Sequence, residues 1–122
     1  MVITLHTEGW YDAAHHLENY EGKCANLHGH TYKVEVWVKG GTLTQLDKTG
    51  ILWDFGKLKK ITDKFDHKNL DNIYVDKNST AENQCIYIYK ELHEQDPYLR
   101  FKVRVYEQLA PKESWAEVGD FT

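Results

Sequence analysis

Residues 28–39 read His-Gly-His-Thr-Tyr-Lys-Val-Glu-Val-Trp-Val-Lys. From residue 30 the run alternates, with Tyr32, Val34, Val36 and Val38 on one face and Lys33, Glu35, Trp37 and Lys39 on the other. A period of two is that of a β-strand with one face in a core. Gly40-Gly41 ends it. Residues 101–107, Phe-Lys-Val-Arg-Val-Tyr-Glu, repeat the pattern, with Phe101, Val103 and Val105 on the apolar side.

Between these strands the period changes. Asp54 can cap a helix whose apolar positions are Leu58, Ile61 and Phe65. Ser79-Thr-Ala-Glu82 has the form of a capping box and opens a second helix. Its stripe is Ala81, Cys85, Ile88, Tyr89 and Leu92, ending at Asp96-Pro97. The order is strand, strand, helix, helix, strand and a short last strand, which predicts an α+β layer with an antiparallel sheet on one side.

The chain has 122 residues, 41% of them hydrophobic and 13% aromatic, enough for one domain, 1–122, with its own core. No apolar run approaches the length of a membrane span. No basic, then apolar, leader opens the chain, so the expected location is cytoplasmic. A net charge of −4 disfavours nucleic-acid binding, which needs a basic surface. Cys24 and Cys85 are too few for a disulfide framework, so two free thiols are expected.

Seven histidines is a high count, and four of them crowd into residues 15–30. If the strand starts at His28, His28 and His30 share a face, and two imidazoles at i, i+2 can ligate one metal ion. An antiparallel neighbour could bring His15 opposite them. Three histidines leave a fourth tetrahedral position open, as in catalytic zinc sites. The plainer alternative is surface or turn histidines. His16 is an alternative ligand, but neighbours in a strand face opposite ways, so only one of the two should serve. Cys24, in the polar loop Gly22-Lys-Cys-Ala-Asn-Leu-His28, is open to three readings: fourth ligand, catalytic base or nucleophile, or inert loop residue. Cys85 falls on an apolar stripe and reads as core. Asp66-His67 is either a carboxylate-oriented proton-transfer pair or a solvated helix end. Glu107 continues the 101, 103, 105 face. A charge placed there needs a partner unless it turns out to solvent.

Together these motifs resemble the family of 6-pyruvoyltetrahydropterin and 6-carboxytetrahydropterin synthases. Five spaced segments carry the resemblance, in one order: Tyr11-Asp-Ala-Ala-His15, Cys24-Ala-Asn-Leu-His28-Gly-His30, Trp53-Asp54-Phe55, Phe65-Asp-His-Lys-Asn-Leu70 and Ser79-Thr-Ala-Glu-Asn83. Glu107 matches the family's strand-terminal glutamate. Two departures stand out, Tyr11 for phenylalanine and Gln108 for threonine.

The resemblance implies the tunnelling fold, an antiparallel four-stranded sheet with two helices on one face. It implies zinc (Zn2+) on His15, His28 and His30, proton transfer by Cys24, Asp66 and His67, and a pterin held by Glu107 with help from Thr80. It also implies a homohexamer of paired trimers with active sites between subunits, where Asp66 and His67 serve a neighbour's Cys24. The substrate would be 7,8-dihydroneopterin triphosphate. Only three residues separate Cys24 from His28, which favours the carboxy-forming, queuosine-pathway branch; this releases acetaldehyde and triphosphate. The pyruvoyl-forming branch is the alternative. A folate-linked branch carries glutamate in place of the cysteine, so Cys24 speaks against it. From another class, a zinc-binding interaction module without turnover would close the site with Cys24, yet it has no need of Glu107.

Overall fold

The computed structural model describes residues 1–41 and 46–122. Strand β1 (Ile3–His15) pairs antiparallel along its whole length with β2 (His28–Gly40). Helix α1 (Gly56–Phe65) follows, then a two-residue strand β3 (Lys68–Asn69), helix α2 (Ala81–Gln95), β4 (Arg100–Gln108) and β5 (Ser114–Gly119). The sheet order is β3-β1-β2-β4-β5. The four long strands are mutually antiparallel, as the alternating pattern predicts. The fifth strand was not expected. It arises because the chain turns sharply at His67, with φ +57°, and lays Lys68–Asn69 parallel to Ala13–Ala14 at the sheet edge.

Both helices cover one face. Val34, Val36, Val38, Phe101, Val103 and Val105 supply the sheet side of the core; Leu58, Ile61 and Phe65 from α1 and Cys85, Ile88 and Leu92 from α2 supply the other, all buried. Each such side chain contributes about 1.5–3 kcal/mol on burial. α1 lies so close over β1 that a Cβ at Gly9 would come within 3.0 Å of Thr62 Cγ2 and 3.3 Å of Leu58 Cδ2. A larger residue there would lift the helix. α2 crosses β4 and β5, where the Cys85 thiol donates to the Ala116 carbonyl at 3.0 Å.

The opposite face carries charges and rings. Lys33 Nζ pairs with Glu8 at 2.7 Å, Arg104 pairs with Glu117 at 2.8 Å, and the Arg104 guanidinium lies 3.8 Å from the Trp115 ring centre. Trp10 and Trp115 are half exposed on it. Among the described residues no helix is long and apolar enough to cross a membrane.

The expected helix caps need one correction. Asp54 does accept the Gly56 N–H at 2.8 Å. At α2, however, the cap is Thr80, not Ser79: Thr80 Oγ1 accepts the Asn83 N–H at 3.1 Å. Ser79 lies one residue earlier and is turned inward, only 1% exposed, against His15.

Candidate metal centre and the groups around it

The β1–β2 register sets His15 directly opposite His28. With His30 two residues on, the three rings sit on the helix-covered face at one end of the sheet. One nitrogen from each lies within 4.8 Å of the others. His16 points elsewhere, its Nδ1 2.5 Å from Asp71, as strand alternation requires. His15 is buried, 1% exposed, while His28 and His30 are half-buried.

The hydrogen bonds around the rings select their tautomers. His15 Nδ1 lies 2.9 Å from the Ser79 carbonyl, and His28 Nδ1 lies 2.7 Å from the Asn26 carbonyl. A carbonyl only accepts, so both Nδ1 atoms carry a proton, and in the neutral ring each Nε2 presents a lone pair. Those two Nε2 atoms are 3.0 Å apart. Two lone pairs that close repel unless a cation or a shared proton lies between them. His30 Nε2 is buried and has no hydrogen-bond partner. This donor set fits a metal ion: three imidazoles, two of them oriented by carbonyls behind the ring. Burial also holds the His30 pKa below its ordinary value. Glu107 opposes that shift, and His28 and His15 reinforce it.

Glu107 stands beside the cluster, Oε1 3.4 Å from His30 Nε2. The strand pairing shifts register between Tyr106 and Gln108, which leaves Glu107 unpaired with β5 and half-buried on the histidine side. Gln108, the departure noted above, donates to the Ala110 carbonyl at 3.0 Å and braces the following turn. Thr80 Oγ1 is engaged as the α2 cap.

Cys24 lies on a short 3-10 turn, Lys23–Ala25, that opens at Gly22 with φ +140°, a backbone favouring glycine. Its carbonyl accepts the Leu17 N–H at 2.8 Å, which ties the loop to the end of β1. The thiol is free and partly exposed. Among the described residues the group of three histidines does not include its Sγ.

Asp66 and His67 do touch, Oδ2 to Nδ1 at 3.1 Å. Asp12 holds the pair: its N–H donates to Asp66 Oδ1 at 2.9 Å, and its carbonyl accepts the His67 N–H at 2.7 Å. The Asp12 hydrogen bond, with help from His67, keeps the Asp66 carboxyl below the usual aspartate range. Asp12 alternates with Ala13 on β1, so this group lies across the sheet from His15. It borders a groove of about 610 Å3 lined by Asp12, Gly29, Thr31, His67 and Lys68 among others.

Sequence reasoning missed Asp12, Gln84 and the role of the Tyr11 hydroxyl, and gave Ser79 the helix cap in place of its contact with His15. Only Gln84 left a signal, a buried polar residue interrupting the apolar stripe of α2.

The sequence profile described as 6-pyruvoyl tetrahydropterin synthase matches residues 4–119. The chain belongs to the 6-pyruvoyl tetrahydropterin synthase family. Within that family it is similar to the 6-carboxy-5,6,7,8-tetrahydropterin synthase of Synechocystis, 33% identical over 96 residues and covering 74% of each chain. It is also similar to the human 6-pyruvoyl tetrahydrobiopterin synthase, 41% identical over 98 residues, which cover 70% of this chain and 65% of the human one. The solved structure of the Caenorhabditis elegans 6-pyruvoyl tetrahydropterin synthase superposes with a TM-score of 0.72 at 30% identity, covering 97% of this chain and 96% of that one. The family thus contains relatives named for both products, and the fold expected from the sequence is the one these relatives share.

Proposed function

We propose that the chain is a zinc-dependent 6-carboxy-5,6,7,8-tetrahydropterin synthase. It converts 7,8-dihydroneopterin triphosphate and water to 6-carboxytetrahydropterin, acetaldehyde and triphosphate. The observation that carries this reading is the convergence of His15 and His28 Nε2 at 3.0 Å beside the unpartnered His30 Nε2. Three nitrogen ligands, with no fourth protein ligand grouped with them among the described residues, suit a catalytic zinc. Bound there, the zinc supplies Lewis acidity to the hydroxyl oxygens of the substrate side chain.

The chain's own residues do the rest. Glu107, half-buried at the strand end, accepts two parallel hydrogen bonds from the amino and ring N–H edge of the pterin. Cys24, on its pinned turn, takes a proton from the substrate side chain. His67 returns or removes the second proton, held in orientation by Asp66. Within one chain the Asp66–His67 pair and the three histidines lie on opposite faces of the sheet. The full set therefore assembles between copies, His67 of one subunit serving Cys24 of the next. That favours a homo-oligomer, with the hexamer as the closed form.

The carboxy product is favoured over the pyruvoyl product by the short spacing from Cys24 to His28. Incubating the metal-loaded protein with 7,8-dihydroneopterin triphosphate and weighing the products by mass spectrometry tests both levels. 6-Carboxytetrahydropterin with acetaldehyde supports the reading, a pyruvoyl product moves the chain to the other branch, and an untouched substrate refutes the enzyme altogether.

A further inference from the structure

Behind His15 runs a closed chain of polar groups that the proposed reaction does not use. Tyr11 and Gln84 are 1% and 0% exposed. The Tyr11 hydroxyl donates to Gln84 Oε1 at 2.5 Å, and Gln84 Nε2 donates to the Ser79 carbonyl at 2.8 Å. That same carbonyl accepts His15 Nδ1–H at 2.9 Å. We propose that Tyr11 and Gln84 are positioning residues of the metal centre: through the Ser79 carbonyl they hold His15 in the tautomer that leaves Nε2 free, and so set how tightly the ion binds. This rests on the three-histidine reading above.

The logic is one of donors and acceptors. A side-chain amide has two ends that are nearly equal in shape, so only its partners decide which way it faces. The Tyr11 O–H, donated into Oε1, makes that decision. With the amide reversed, Gln84 Oε1 would face the Ser79 carbonyl oxygen, acceptor against acceptor, and the carbonyl would be pushed from the His15 ring. In the observed orientation both lone pairs of the Ser79 carbonyl are occupied, one by Gln84 and one by His15. The backbone on either side leaves the carbonyl little room to swing. Thr80 caps α2, and Asn78 exchanges hydrogen bonds with the Glu18 backbone at 2.8 and 2.9 Å. The Ser79 hydroxyl, 3.1 Å from His15 Nδ1, and the Tyr32 hydroxyl, 3.3 Å from each His15 ring nitrogen, flank the ring.

Packing alone does not require this arrangement. An apolar pair would fill the same volume without hydrogen bonds that must all be satisfied to avoid a penalty. The Tyr11 hydroxyl is a departure from the phenylalanine of the resembled motif, and Gln84 breaks an apolar stripe. The two departures meet each other, and their shared outlet is the metal-facing histidine.

Zinc competition against a chromophoric chelator, on the whole chain, tests the relay in Tyr11→Phe, Gln84→Leu and the double variant. Gln84→Leu should weaken zinc binding about tenfold, the lower end of what oriented partners behind a ligand usually contribute. Tyr11→Phe frees the amide to turn and should weaken it by a smaller factor. In the double variant neither the Tyr11 O–H nor the Gln84 amide remains to go unpaired, and the Ser79 carbonyl keeps His15, so the thermal stability of the metal-free protein should return toward the parent. Zinc affinity should stay about tenfold low. Parent-like zinc affinity in a folded Gln84→Leu, or affinity recovering together with stability in the double variant, would reduce the relay to core packing and overturn the inference. A parent protein that takes up no zinc at all would instead remove the metal centre itself, and the inference with it.

Discussion

Consider a zinc-loaded sample stripped with excess chelator near neutral pH and melted beside the untreated protein. Without a cation, the His15 and His28 Nε2 lone pairs face each other at 3.0 Å. Relief requires a captured proton or a turned ring, and a turned ring gives up the Ser79 or Asn26 carbonyl. The bound ion therefore favours the folded state through a geometry the unfolded chain lacks. With free zinc at about 100 times its Kd, mass action contributes about 2.7 kcal/mol. A chain of 122 residues unfolds with an entropy of about 0.26 kcal/mol/K near its midpoint, taking about 2.1 cal/mol/K per residue. The ratio is a fall in Tm of about 10 °C on stripping. His28→Ala should melt at the same temperature with and without chelator, because the opposing lone pair is gone and one ligand with it. Circular dichroism melts decide the matter. Equal Tm for loaded and stripped parent, or a full chelator shift surviving in His28→Ala, would refute the argument.

Three further outcomes follow from the geometry. Asp66→Asn puts an amide N–H against His67 Nδ1, removes the preference for the Nε2 base and should lower kcat by about 10²–10⁴-fold with metal content unchanged, as steady-state rates and metal analysis would show. Because the Asp66 carboxyl is held below the ordinary aspartate value, its contribution is intact above about pH 4 and fades only as pH falls through the lower folded value. A loss of activity between neutrality and about pH 5 therefore belongs to other groups. Glu107→Gln should weaken pterin binding roughly tenfold or more by calorimetry, since one acceptor becomes a donor facing a donor; equal affinity would make Glu107 a solvated strand end. Iodoacetamide under native conditions should label Cys24, which is partly exposed, and spare Cys85, whose thiol burial pushes up to about 12. Peptide mapping that finds both labelled alike would contradict the core placement of Cys85.

The strand at 28–39 and both helices were legible because burial on one face forces a period, and a period survives in one dimension. Leu58, Ile61 and Phe65 on α1, and Val34, Val36 and Val38 on β2, are buried as their spacing predicts. The His-Gly-His pair was legible for the same reason, since i and i+2 on a strand share a face. Ser79 reads as the α2 cap because serine is the better cap of the two by preference and Glu82 three residues on completes a capping box. Only the cavity at His15 decides that Ser79 turns inward and Thr80 takes the end of the helix.

What the sequence determined by itself was therefore the periodic part: strand and helix identity, the apolar faces, and the kinds of side chain gathered near residues 15–30. What the tertiary structure decided was everything set by register and by partners distant in sequence. The antiparallel pairing of β1 and β2 puts His15 on His28. A positive φ at His67 swings the Asp66 dyad to the far face, where Asp12 grips it. The crossing of α2 over the sheet brings Gln84 to Tyr11, 73 residues apart in the chain. Hydrogen bonds are directional and short, so their partners are fixed only once the hydrophobic layers have set each backbone to within a fraction of an ångström. A local pattern of apolar residues cannot encode that distance.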